Sequence, residues 1–200
     1  MPARLLLQNK RTRRAHHPSF SRAAARALAG SNQTIPMTTS SPRTIQHYWE
    51  DLTPGRTLEL GSITVERDEV LAFARRYDPQ PFHVDDAAAA HSIFGRLAAS
   101  GWHTCSMAMG LMVRNFLLDS SSQGSPGLEK IQWLKPVYPG DTLTLRQRIL
   151  ESRPLKSRPD VGLVRTLWEM FNQHGDQVLL MDGYGLFGRR TPGPAPARDA

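Results

Sequence analysis

The chain has 200 residues, which suits one domain with tails, and a net charge of +7. Eight Arg and Lys residues and no acidic residue precede Glu50, so subtracting them leaves −1 for residues 50–200. A nearly neutral domain gives no electrostatic reason to expect nucleic-acid binding. The single cysteine, Cys105, excludes an intramolecular disulfide and a cysteine-cluster metal site. No apolar run approaches the ~20 residues that span a bilayer, so we expect no membrane segment.

The two ends of the chain differ in composition from the middle. Residues 1–42 are rich in Arg, Ala and Ser, and we expect a disordered basic leader there. It is either a mitochondrial-type transit peptide or an over-extended start, with Met37 as the initiator. Residues 191–200 are rich in Pro, and we expect a disordered tail. The domain between them, 43–190, is predicted to be cytoplasmic, or mitochondrial if the leader is a genuine transit peptide.

The first half of the domain predicts one strand followed by helices. The strand spans 58–65, and a helix follows over 68–77, where Pro79 and Pro81 forbid its continuation. A short helix is predicted over 85–90. The longest helical candidate, 101–118, is apolar on nearly every face, which is typical of a buried helix.

The second half of the domain predicts strands joined by turns. A loop rich in Ser and Gly covers 120–127, and strand-like runs follow over 128–136, 142–152, 162–171 and 178–186. Consecutive strands joined by tight turns form an antiparallel sheet. The predicted class is therefore α+β, in the hot-dog arrangement of an antiparallel sheet wrapped around one long central helix.

The segment between the first two helices carries the clearest chemical signal. Asp78 and His83 are separated by a stretch that contains two prolines, which stiffen the backbone. A rigid loop that carries an acid and a base suits proton transfer, and imidazole can take a proton from water near neutral pH. This pattern predicts that Asp78 and His83 hold one catalytic water.

A second signal lies at the start of the long helix, in the sequence Ser100-Gly101-Trp102. The first backbone N–H groups of a helix have no partner within the helix and lie at its positive end. Such donors stabilise an oxyanion, for example the enolate that forms when water adds to an enoyl thioester. The backbone N–H of Gly101 is therefore a candidate donor to an oxyanion.

Together these motifs resemble the MaoC-like dehydratase family, which includes the (R)-specific enoyl-CoA hydratases. The resemblance rests on Asp78-Pro-Gln-Pro-Phe-His83, Ser100-Gly101, Trp133-Leu-Lys-Pro-Val137 and Pro139-Gly-Asp141. It implies a hot-dog fold, at least a homodimer, and an acyl thioester of coenzyme A or acyl carrier protein as substrate. It also implies that Asp78 and His83 are catalytic and that the backbone N–H of Gly101 binds the carbonyl. We expect that the reaction needs no metal or organic cofactor.

The chain departs from the family pattern at three positions. Tyr77 and Gln80 stand where the family often has Gly and Asn, and Met109 stands where some members have a serine that supports the catalytic aspartate. Ser106, one helical turn earlier, is a candidate to replace that serine. We expect the substrate to contact the residues around the two motifs and along the helix, namely Pro81, Ser100, Trp102 and Met109.

Two other functions fit the same pattern. A hot-dog thioesterase would release free thiol from an acyl-CoA, although the paired Asp and His suit hydration better than a lone carboxylate would. A non-catalytic subunit that binds acyl thioesters is the second alternative, because the supporting serine is replaced by Met109. The hypothesis that the sequence favours is an enoyl-CoA hydratase.

Overall fold

The computed structural model describes residues 44–193. The predicted leader over 1–42 and the tail beyond residue 193 lie outside the described residues. The helices are α1 (Arg67–Tyr77), α2 (Pro81–Val84), α3 (Asp86–Ala90) and α4 (Gly101–Asn115). The strands are β1 (Thr57–Thr64), β2 (Ser122–Trp133), β3 (Thr142–Pro154), β4 (Val161–Phe171) and β5 (Gln177–Gly188).

The five strands form one antiparallel sheet in the order β1-β3-β4-β5-β2. Leu143, Leu145 and Ile149 alternate along β3 with more exposed residues, so one face of the sheet is apolar and buried. Helix α4 covers this face, with Met107 and Leu111 among its buried residues. This architecture confirms the predicted hot-dog fold.

Strand β2 begins at Ser122, so the loop predicted over 120–127 is largely wrong. Gly and Pro in this segment suggested a loop, but β2 is an edge strand, where Pro126 does not break a ladder between two neighbours. Gly124 and Gly127 have φ angles of 109° and 147°, and the pairing of β2 with β5 shifts register around them. The glycines therefore make bulges within a strand.

Two helix predictions need correction. Helix α4 ends at Asn115, and a separate 3₁₀ turn follows over Leu117–Asp119. The helix is also not buried on nearly every face, because Trp102 and Met109 are 56% and 50% exposed. Pro79 does end α1, but Pro81 begins α2, since the first position of a helix needs no N–H donor.

Candidate active site

The acid and the base are held by the junction between α1 and α2. Asp78 is the residue at which α1 ends, and its backbone N–H donates to Ala74 O at 2.9 Å. His83 lies in α2, and its backbone N–H donates to Gln80 O at 2.8 Å. Both side chains are thus fixed to hydrogen-bonded backbone, but His83 lies in a short helix and not in the rigid loop that the two prolines predicted.

The imidazole of His83 is buried, and its tautomer follows from its contacts. Nδ1 lies 2.8 Å from the backbone carbonyl oxygen of Ala98. A carbonyl can only accept, so Nδ1 carries the proton and Nε2 is left with a free lone pair. Nε2 lies 3.6 Å from Asp78 Oδ2, too far for a direct hydrogen bond. A water molecule can therefore contact both atoms.

The carboxylate of Asp78 is held by two donors. Ser100 Oγ donates to Oδ2 at 2.7 Å, and Gln80 Nε2 donates to Oδ1 at 2.7 Å. Burial raises the pKa of Asp78, but the hydrogen bonds from Ser100 and Gln80 outweigh this effect, and the pKa lies below its usual value. Asp78 is therefore ionised at neutral pH and accepts hydrogen bonds.

Ser100 caps helix α4 as well as contacting the carboxylate. Its Oγ accepts from the backbone N–H of Trp102 at 3.2 Å. The N–H of Gly101 has no acceptor among residues 44–193. A Cβ on Gly101 would meet the indole of Trp133 at 2.6 Å, so no larger residue fits here unless that ring moves. Glycine leaves this donor accessible at the helix end.

These groups line one cavity of about 450 Å³. It contains Asp78, His83, Gly101 and Trp102, which are four of the residues that the sequence singled out. Its other walls are mainly apolar and aromatic, with Phe82, Phe94, Trp133, Leu134 and Val137. A mostly apolar cavity with a few convergent polar groups is typical of a small-molecule site.

The remaining predicted contacts lie elsewhere. Ser100 reaches this cavity through Asp78, whereas Pro81 is exposed and is not part of the wall. Met109 lines a second cavity under the other half of α4. Ser106 donates to the backbone oxygen of Trp102 and does not contact Asp78, so the suggestion that it replaces the family's serine is wrong.

Sequence reasoning missed two supports of the carboxylate. Gln80 was noted only as a departure from the family pattern, and Ser100 only as a substrate contact. For Gln80 a signal was present, because an amide two residues after Asp78 in a stiff loop is within reach of it. For Ser100 the sequence held no such signal, since 22 residues separate it from Asp78.

Two further observations concern the described part of the chain. No group of three or more His, Cys, Asp or Glu residues there is arranged to hold a metal ion. None of the helices there is both long enough and apolar enough to cross a membrane.

Known proteins resemble this chain in sequence and structure. The family model described as MaoC like domain matches residues 50–167. A MaoC-like dehydratase from Rhodospirillum rubrum is 38% identical with a TM-score of 0.67, covering 72% of this chain and 98% of its own. The uncharacterized protein YdeM of Bacillus subtilis is 27% identical over 62% of this chain and 86% of its own. An (R)-hydratase from A. caviae is 25% identical with a TM-score of 0.56, covering 68% of this chain and 97% of its own.

The family match spans more than half of the chain, so the chain belongs to the MaoC-like dehydratase family. The family and its structural relatives support hydration or dehydration chemistry. This agrees with a site in which a carboxylate oxygen and an imidazole nitrogen lie 3.6 Å apart, a spacing at which one water can contact both.

Proposed function

We propose that this protein adds water reversibly across the double bond of an enoyl thioester to give a 3-hydroxyacyl thioester. The observation that carries the proposal is the 3.6 Å separation of Asp78 Oδ2 and His83 Nε2 in the wall of an apolar cavity. That spacing suits one water that donates to both atoms.

In the hydration direction, His83 Nε2 takes a proton from the water, because its lone pair is free. The oxygen attacks the β-carbon of the enoyl group, and negative charge develops on the thioester oxygen. The N–H of Gly101 donates to that oxygen at the positive end of α4. The proton held by the Asp78–His83 pair is then returned to the α-carbon. One water has been added, and both side chains are restored.

The ionised state of Asp78 is central to this mechanism. A carboxylate orients the water as an acceptor, and it stabilises the imidazolium that forms while His83 holds the proton. Ser100 and Gln80 keep this carboxylate ionised by donating to both of its oxygens. They are positioning residues, since they act through Asp78.

We further propose that the working form is a homodimer. Strand β2 is an edge of the sheet, and apolar side chains are exposed on β2, just beyond its end and on the neighbouring face of α4. This apolar strip consists of Trp102, Met109, Leu128, Trp133 and Leu134, which are between 44% and 56% exposed. Long edge strands with apolar side chains pair readily with another chain, and a second copy offers the same strip.

The test is incubation of the purified full chain with crotonyl-CoA and longer enoyl-CoAs, with products identified by mass spectrometry. We expect a thioester heavier by one water and no free thiol. Free thiol without hydration would indicate the thioesterase. Ligand-dependent stabilisation without turnover would indicate a binding subunit. Either result contradicts the proposed function.

A further inference from the structure

A second cavity, of about 280 Å³, lies between the later part of α4 and the sheet. Its helical wall is formed by Met109, Met112 and Phe116, and its sheet wall includes Gln147 and Trp168. Gly101 of the first cavity is eight residues before Met109, which corresponds to about 12 Å along a helix. The second cavity therefore lies at a distance from the reacting carbons that an extended acyl chain can span.

One face of α4 runs from the first cavity to the second. Trp102, Cys105 and Met109 follow each other at three- and four-residue spacing, so they lie on the same side of the helix. Trp102 lines the first cavity and Met109 the second. A flexible apolar chain held at Gly101 can follow this face toward Met109, between α4 and the second copy that the proposed dimer places on the apolar strip.

The sheet wall of the second cavity contains a polar residue in an apolar row. Leu143, Leu145 and Ile149 share the helix-facing side of β3 with Gln147, and Gln147 is 2% exposed. Trp168 Nε1 donates to Gln147 Oε1 at 3.3 Å, which fixes the orientation of the amide. Gln147 Nε2 has no acceptor among the residues that the structure describes.

A buried donor without a partner destabilises a protein, whereas leucine at this position would continue the apolar row. An acceptor that enters the cavity with a ligand would satisfy this donor. None of the residues that line the cavity is cationic. A carboxylate there would be a buried charge without a counter-ion, so the fitting acceptor is a neutral oxygen.

We propose that the second cavity receives the far end of the acyl chain and that Gln147 Nε2 donates to a ketone, ester or hydroxyl oxygen carried there. This inference rests on the proposed hydratase function and specifies its substrate class. The preferred substrates are enoyl thioesters with an oxygen near the end of the chain. A site that forms a hydrogen bond with a polar group of its substrate discriminates strongly against an analogue without that group. When the analogue binds, the buried donor of the site is left without a partner.

The test compares two series of enoyl-CoAs of equal chain length, one ending in a methyl group and one carrying a keto or hydroxyl oxygen near its end. We expect wild-type kcat/KM to be at least about 10-fold higher for the oxygenated member at the chain length that reaches Gln147. Gln147→Leu is expected to abolish or reverse this preference. Gln147→Met, which keeps the length of the side chain, serves if the leucine variant does not fold.

The matched control is Gln46→Leu, the same change at an exposed position outside both cavities. It should keep the wild-type preference. Crotonyl-CoA, which is too short to reach Gln147, separates the two proposals. If wild type hydrates it but shows no preference for oxygenated chains at any length, a water satisfies Gln147 and this inference is wrong. If wild type hydrates no enoyl-CoA, the proposed function fails and this inference with it.

Discussion

Ser100 Oγ donates a hydrogen bond to Asp78 Oδ2 at 2.7 Å and accepts one from the backbone N–H of Trp102 at 3.2 Å. One hydroxyl therefore joins the first turn of α4, where Gly101 offers its N–H, to the carboxylate of the acid–base pair. The two parts of the site that the sequence places 22 residues apart are held in one geometry by this serine.

Replacement of Ser100 by Ala should lower kcat/KM by about 10- to 100-fold, the effect of a hydrogen bond to a charged group. The pKa of Asp78, followed by NMR of its carboxyl carbon, should rise when this donor is lost. Ser100→Thr keeps the hydroxyl and should retain the wild-type pKa of Asp78. An unchanged pKa of Asp78 in Ser100→Ala would show that Ser100 does not position this carboxylate.

Gly101→Ala should reduce turnover at least about 10-fold, because a Cβ would lie 2.6 Å from the indole of Trp133 and displace it or the N–H donor. Turnover measures the loss of the N–H donor, and tryptophan fluorescence measures the displacement of Trp133. Gly110→Ala is the control on the same helix, since its Cβ would meet only the mobile end of Arg114 at 3.1 Å. Equal activity in both variants would contradict the role of Gly101.

The dimer proposal predicts that a charge in the apolar strip produces monomers. Leu128→Asp should lower the mass measured by light scattering to that of one chain, because the carboxylate would be buried without a partner at the interface. Ile93→Asp makes the same change at an isolated side chain that is 96% exposed, and it should remain dimeric. A monomeric wild type would contradict the proposal directly.

Stability should fall in acid in part through Asp51. The backbone N–H of Tyr48 donates to Asp51 Oδ2 at 2.9 Å, and together with Arg190 it holds the pKa of Asp51 below its ordinary 3.8. A carboxyl with a lowered pKa contributes stability above the unfolded pKa and loses it as pH falls through the folded value. Asp51→Asn should therefore be less stable than wild type at pH 7, with the difference shrinking below pH 3.8, as measured by urea unfolding.

Most of the fold could be predicted from the sequence because its signals are local. Apolar periodicity located α1, a long and nearly continuous apolar run located α4, and turn residues separated β3, β4 and β5 to within two residues of their observed bounds. Strand β2 was misjudged at its start because the bulges at Gly124 and Gly127 carry the residues of a loop. Only the position of β2 at the sheet edge distinguishes a bulged strand from a loop here, and that position is a property of the tertiary structure.

The site could be predicted only where its residues are close in sequence. Asp78 and His83 are five residues apart on a segment stiffened by two prolines, and the structure brings them together. The contacts of Ser100 with Asp78 and of Ala98 with His83 depend on how α4 packs, and no spacing in the sequence reports them. We expected Met109 to contact the substrate. That it lines a separate cavity with Gln147 also depends on how α4 packs, so the sequence did not indicate it.

The most direct measurement of the central claim is the rate of enoyl-CoA hydration by wild type, Asp78→Asn and His83→Ala, after circular dichroism has shown that all three fold. Each substitution removes one of the two groups that hold the water. We predict hydration by wild type and a decrease of about 10²- to 10⁴-fold in kcat for each variant. Wild-type turnover in both variants would contradict the assignment of Asp78 and His83 as the catalytic pair.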